Sequence, residues 1–358
     1  MTTLTPDALQ GTFYAMSAPV SATENAKDNV SSNSSTGEEA SYRCIDSTSF
    51  QFVLLPLVYT PVFVLSCLGN GTALWHLCRT WRRSSQAKVF IVNLIILDVL
   101  FTLCLPLQIS YHALGNMWVF GEVMCKITSC LFFSNIYGCT LFLTCVCVDR
   151  YVAVVHPIKY LRLQRPLYRV VVSCIIWLMF LFVVMFIFSK RTTNVLPDGR
   201  IACMENFSSK SWSSRLAAIN IMSSIAGFFL PFSATLTCYV LIGKRIMALT
   251  RGKQSTLHLK KKSLRTIMVV IGVLTVSFLP YHIIQTLHTL ARVRVLPSSS
   301  LLRFTCGARK VVMGVASLNS CLDPIVYYLS GEDIKFELPC FCKENITSST
   351  ETTSNTQR

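Results

Sequence analysis

The groups that could do chemistry in this chain are few, and most of them lie in hydrophobic surroundings. In TLFLTCVCVDRYVAVVHP (140–157) an apolar run meets Asp149, Arg150 and Tyr151 and then resumes. An acid beside a base at a membrane edge is either a structural ion pair or a switch. Asp98 interrupts NLIILDVLF and Asp323 interrupts NSCLDPIVYY, with the amides of Asn70 and Asn319 at similar depths. Charges within a bilayer are expensive, so each needs a hydrogen-bonded network or a function to keep it there. Two facing carboxylates cannot both ionise cheaply, and would share a proton or hold a sodium ion. No nucleophile–base constellation and no firm metal spacing is visible. The chain is therefore not expected to be an enzyme, nor to carry a cofactor beyond that sodium ion.

These residues need elements to hold them. Of the 358 residues, 52% are hydrophobic and 14% charged, with a mean hydropathy of +0.50. Soluble domains carry about 25% charged residues, so the composition is that of a membrane protein. Seven apolar segments, at about 52–77, 88–113, 123–150, 169–189, 216–243, 264–290 and 311–330, each approach the roughly 20 residues that cross a bilayer. A lipid-exposed backbone must satisfy its own hydrogen bonds, so each is read as a helix. The expected fold is an all-α seven-transmembrane bundle over 51–330, with a polar tail at 1–50. No leading segment resembles a cleavable signal, so the first span is expected to direct insertion. A transporter or channel would show paired repeats or a continuous polar pore, and neither is visible.

Orientation follows from the basic loops. Arg79, Arg82, Arg83 and Lys88 follow the first span, and eight Lys and Arg between Lys244 and Arg265 join the fifth to the sixth, with no acid in either stretch. Such loops are cytoplasmic, which puts the N-terminus outside a multi-pass plasma-membrane protein. Sequons at Asn29, Asn33 and Asn206 are then glycosylation candidates. Ile334, Phe336 and Leu338 alternate with charges after the last span, which predicts a short amphipathic eighth helix on the inner membrane surface over 331–342. Cys340 and Cys342 at its end suit palmitoylation. The remainder, 343–358, is too polar to fold and offers Ser and Thr for phosphorylation. Pro231, Pro280 and Pro324 fall in the last three spans, where each permits a kink and together they suggest hinges.

The outer connections are unexpectedly basic. The second carries Lys190, Arg191, Arg200, Lys210 and Arg215 against Asp198 and Glu205, and the third carries Arg292, Arg294, Arg303, Arg309 and Lys310 against no acid. A cationic funnel outside the membrane attracts an anionic ligand. The competing reading is attraction to lipid phosphates or to Glu38, Glu39 and Asp46 of the N-terminal tail. Most of the sixteen cysteines sit in apolar runs, where a thiol behaves as a small hydrophobe.

Taken in order, GN in the first span, NLIILD in the second, DRY closing the third, Trp177, Pro231 with Tyr239, FLP at 278–280 and NSCLDPIVYY resemble the rhodopsin-like G-protein-coupled receptors over about 50–340. The resemblance implies that Arg150 pairs with Asp149 at rest and is freed to meet a heterotrimeric G protein, with Tyr239 and Tyr327 closing in on it. Phe278 and Pro280 would serve the opening movement. It implies a Cys125–Cys203 bridge from the third span to the second outer loop. Cys44 and Cys306, left outside, make a second candidate pair. Arrestin and a receptor kinase would act at the tail, lipids would surround the bundle, and no nucleic acid is expected.

Within that family the chain resembles the branch of nucleotide (purinergic), lysophosphatidic acid and protease-activated receptors. CVDRYVAVVHPIKYLRLQRP and ACMENFSSKSW look most like the lysophosphatidic acid members, PYHI like the nucleotide ones. The arginine or lysine usual in nucleotide receptors is replaced by Gln285, and other usual arginines by Ser129 and Met313; the lysophosphatidic acid receptors' arginine is replaced by Gln108. The N-terminal basics, Lys27 and Arg43, are not followed by a tethered apolar ligand. The expectation is an anionic, phosphate-bearing small ligand, a lysophospholipid before a nucleotide, because Phe132 and Phe133 suit an acyl chain. Tyr111, His112, Tyr137, His282 and Gln285 would supply hydrogen bonds, Phe133 apolar contact, and Lys190, Arg309 and Lys310 the countercharge. His112 and His282 read equally well as structural residues.

Overall fold

The computed structural model describes residues 49–80, 89–162, 167–196, 199–205, 207–208, 211–248 and 254–330. Asn29, Asn33, Asn206 and Cys44 lie outside the described residues. So do the expected surface helix with Cys340 and Cys342, and the tail beyond it. Among the described residues, seven helices are long and apolar enough to cross a membrane: Gln51–Arg79, Val89–Ala113, Gly121–Val155, Leu167–Phe188, Trp212–Ala248, Lys261–Arg292 and Ser299–Leu329. The third is the most buried and the fourth the least. The third therefore forms the axis of the bundle, and Gly138 shows how closely its neighbours approach. A Cβ there would lie 2.5 Å from Leu97 Cδ1 of the second span and 3.2 Å from Phe180 Cε2 of the fourth.

The seventh span begins about three turns earlier than its hydropathy suggests. Ser298 caps it, its side chain accepting from Leu301 N at 3.2 Å, which satisfies one of the orphan N–H groups of the first turn. Arg303, Arg309 and Lys310 thus belong to a helix, and the third outer loop shrinks to 293–298. Charged residues on these first turns hid them from an apolar scan.

Proline lacks an N–H and its ring clashes with the carbonyl four residues earlier, so the preceding turn can widen or break, although Pro56, Pro61 and Pro106 lie inside helices without such a change. Wide turns at Ile225–Phe229 and Leu274–Phe278 precede Pro231 and Pro280. The seventh helix is interrupted at Leu318, before Pro324. Pro324 leaves the Ser320 carbonyl without its helical donor, and Asn70 Nδ2 of the first span donates to it at 2.8 Å. Close approach there needs Gly69, whose Cβ would come within 2.7 Å of Pro324 Cγ.

Over the outer end lies a hairpin of β1 (Thr193–Val195) and β2 (Ile201–Cys203), paired antiparallel with Asn194 opposite Ala202. Three ties fix it to the third span and the residues just before it. Cys203 is disulfide-bonded to Cys125. Trp118 N donates to Ile201 O at 2.8 Å. The Glu122 carboxylate accepts from Thr192 N at 2.7 Å and Thr193 N at 3.0 Å, and from both hydroxyls. Cys306 is also disulfide-bonded.

Candidate functional site

Beneath the hairpin is a cavity of about 200 Å³ between the outer ends of the spans. One stripe of the sixth helix supplies Tyr281, Gln285, His288 and Arg292, spaced four, three and four residues apart so that all share a face. The seventh supplies Arg309, Lys310 and Met313, and the second outer loop supplies Arg200 and Glu205. Among the described residues of the lining, four cations therefore face one carboxylate. Glu205 accepts from and pairs with Lys310. Burial alone would raise the Glu205 carboxyl, but the Lys310 ammonium beside it, helped by Arg309, holds it below the usual carboxylate range. Arg200 donates to Gly115 O. Arg292 Nη2 donates to Phe207 O at 3.4 Å, with its guanidinium carbon 5.4 Å from the Trp212 ring centroid.

Four buried polar atoms of this lining have no hydrogen-bond partner among the described residues: Trp212 Nε1, Gln285 Oε1, His288 Nε2 and Arg309 Nε. Buried polar groups are almost always satisfied, so such a cluster calls for an explanation.

Six of the nine expected ligand residues line the cavity: Tyr111, His112, Phe133, Gln285, Arg309 and Lys310. His112 Nδ1 is 2.7 Å from Asn116 Oδ1, so one of its nitrogens is already engaged. Gln108, Ser129 and Met313, where the resemblance places arginines, line it too. Tyr137 and His282 do not. They pack a layer deeper, with His282 stacked on Phe228 at 4.2 Å, 5.5 Å from the Tyr137 ring and 3.5 Å from Ser224 Oγ. Lys190, just past the end of the fourth helix, is exposed and away from the cavity lining. Trp212 and His288 are among the lining residues that reading the sequence missed, and Arg200, Arg292 and Glu205, read there only as outer charge, line the cavity too. The helical spacing from Tyr281 to Arg292 was the available signal.

Midway down, Asp98 and Asp323 face one another, fully buried. Asp98 Oδ1 accepts from Asn135 Nδ2 at 3.0 Å and its Oδ2 from Tyr327 OH; Asn319 Nδ2 donates to Asp323 Oδ2 at 2.9 Å. Ligand atoms of Asp98, Cys139 and Asp323 all lie within 4.8 Å of one another. The two carboxylates fit a hard cation such as sodium, while Cys139 offers a soft donor that sodium does not need. Tyr327, expected beside Arg150 in an active state, is held by Asp98. Phe278 is buried in the core and Tyr239 packs half-buried against it.

At the inner end Asp149 has a partner that the sequence did not suggest. Its Oδ1 accepts from Arg169 Nε at 3.0 Å, from Arg169 Nη2 at 2.7 Å and from Tyr168 OH. Arg169 belongs to the fourth span, not to the DRY run. A helix turns about 100° per residue, so Asp149 and Arg150 leave the third span on different sides, and Asp149 faces the fourth.

The sequence that builds this geometry matches known proteins. Residues 69–327 match the model of the "7 transmembrane receptor (rhodopsin family)". The chain belongs to that family. Among its relatives, the uracil nucleotide/cysteinyl leukotriene receptor of Rattus norvegicus is 32% identical over 86% of this chain and 88% of its own length. Purinoceptor 1 of Meleagris gallopavo is 35% identical over 84% and 82%. Purinoceptor 2 of Homo sapiens is 36% identical over 83% and 78%. As a rhodopsin-family receptor of the purinergic branch, the chain is a multi-pass plasma-membrane protein and not an enzyme. It is activated by an extracellular ligand and signals through heterotrimeric G proteins.

Proposed function

We propose that this receptor responds to an anionic, phosphate-bearing ligand seated in the outer cavity, and that the ligand is a nucleotide. The observation that carries this reading is the set of four unpartnered buried polar atoms, on Trp212, Gln285, His288 and Arg309, among four cations. An acyl chain would leave those atoms desolvated and unpaired, at about 1–3 kcal/mol each. A heteroaromatic base with a sugar offers donors and acceptors to meet them. That outweighs the pull of Phe132 and Phe133 towards a lysophospholipid, and the names of the two purinoceptors favour nucleotides in the same direction, while the third relative is named for a uracil nucleotide and a cysteinyl leukotriene alike.

In this reading Lys310, Arg309, Arg200 and Arg292 neutralise the phosphates, Arg and Lys being the usual partners of such oxygens. Tyr111 and His112 face the same space, and Phe133 packs against the base or sugar. A sodium ion between Asp98 and Asp323 would stabilise the resting bundle. Arg150 and the basic inner loop dock the G protein, and a receptor kinase and arrestin act on the tail. Glycans at Asn29, Asn33 and Asn206 and acyl chains at Cys340 and Cys342 belong to the same reading.

The test is G-protein dissociation in cells expressing the chain, challenged separately with adenine and uracil di- and triphosphates, lysophosphatidic acid and trypsin. A response to a nucleotide, lost on Arg309→Ala, supports the proposal. A response to the lipid or to trypsin alone overturns it.

A further inference from the structure

We infer that His288 reads the base of the ligand, accepting a hydrogen bond from an N–H on the base's edge. This rests on the nucleotide reading and deepens it, by giving the cavity a base end and a phosphate end. His288 is fully buried, with Nδ1 3.1 Å from Thr305 Oγ1 of the seventh helix. The same hydroxyl donates to Leu302 O at 3.0 Å. A hydroxyl has one proton to give and a carbonyl only accepts, so both bonds are made together only when His288 Nδ1–H donates to Thr305. An imidazolium there would be a fifth cation facing the one carboxylate of the lining, so the ring is neutral. Its Nε2 is then a lone-pair acceptor, and it has no partner among the described residues.

Gln285, three residues earlier on the same helical stripe, presents a second unpartnered acceptor, Oε1. Trp212 lies edge-on to His288, with ring centroids 5.4 Å apart, and its Nε1 is an unpartnered donor. Trp212 also opens the wide turn Trp212–Leu216, which no proline accounts for, the next being Pro231. Such turns within helices are frequent at functional sites. Ionised phosphate oxygens only accept, so at His288 Nε2 they would set lone pair against lone pair. The edge of a base carries donors and acceptors side by side, which suits two acceptors and a donor. The phosphates therefore lie towards Arg309 and Lys310 on the seventh helix, where Arg309 Nε is an unpartnered donor. The Gln285 amide can turn over to suit its partner, whereas Thr305 holds the His288 ring. His288 thus sets the preference and Gln285 follows it.

Binding to purified full-length receptor is measured for ADP, ATP, UDP and UTP. Each is paired with the isosteric analogue that lacks the edge N–H: purine riboside for adenosine, 3-deazauridine for uridine. For the nucleotide that binds, the analogue is expected to be weaker by about tenfold or more, the scale of a buried acceptor left unpaired. In His288→Leu the nucleotide should fall to the level of its analogue, closing the ratio to within about twofold. Thr305→Val leaves the ring in place but frees its tautomer, so the ratio should drop to about threefold even where His288→Leu fails to fold. A merely structural His288 would weaken nucleotide and analogue alike and keep the parent ratio in both variants, which overturns the inference. A ratio within about twofold in the parent receptor overturns it while leaving the nucleotide reading intact. Binding by none of the four nucleotides overturns that reading and this inference together.

Discussion

The two ends of the bundle handle charge in opposite ways. In the outer cavity, four cations face a single carboxylate, and buried donors and acceptors are left without partners among the described residues. At the inner end one oxygen of Asp149 is met three times over by Arg169 and Tyr168. In the proposed reading, the end that admits an anionic ligand is left short of negative charge and of hydrogen bonds. An end that must keep its shape until a large partner arrives is saturated.

The largest effect should come from the inner end. Arg150→Ala is expected to keep surface expression while abolishing G-protein activation; undiminished signalling would contradict its role at the docking surface. At the outer end, Arg309→Ala with Lys310→Ala should weaken an anionic agonist by about a hundredfold, since hydrogen bonds to charged groups contribute about 1.5–3 kcal/mol each. A neutral analogue should lose far less, and equal losses would mean that the cavity's charge is not what the ligand reads.

Gln285→Leu separates the ligand classes more finely. It should cost a nucleotide about five- to tenfold, on the scale of one hydrogen bond of about 1 kcal/mol, and cost a lipid nothing. Glu205→Gln should move affinity the other way, raising it about threefold as Lys310 is freed for the ligand, because a partly exposed pair is worth only about 0.2–1 kcal/mol. The same pair gives a pH signature. The Glu205 carboxyl lies below its ordinary range in the folded protein, so its stabilisation is present above the unfolded value of about 4.3 and is lost as pH falls through the lowered folded value. The melting difference between the parent and Glu205→Gln should hold steady from neutral pH to about 5 and then close. An effect on stability alone is expected at Asn70→Ala, about 1 kcal/mol for one hydrogen bond, and it should shrink when Pro324→Ala restores an N–H for Ser320 O.

Much of the fold was legible because long apolar runs and basic loops are coarse signals that tertiary packing does not erase. The start of the seventh helix was not, because Arg303, Arg309 and Lys310 broke its hydropathy, while the Ser298 cap was a quieter mark of the same boundary. In the site, Arg309 and Lys310 were legible as charge with no acid nearby. Lys190 was misjudged for the same reason, since charge in a loop does not say which way the loop faces. Tyr137 and His282 were placed one layer too high, because sequence gives the face of a helix more readily than the depth at which a cavity stops. The Asp149–Arg169 pair needed two helices to be docked before it could be seen at all.

The contact between Asn70 and the Ser320 carbonyl has a consequence for biogenesis. The first helix to leave the ribosome carries the amide that mends the backbone of the last one. Until synthesis is complete, that amide waits in the bilayer without its acceptor, and the seventh helix, once inserted, keeps an open gap until it reaches the first. Closing the ring of helices therefore depends on the first and the seventh helix meeting.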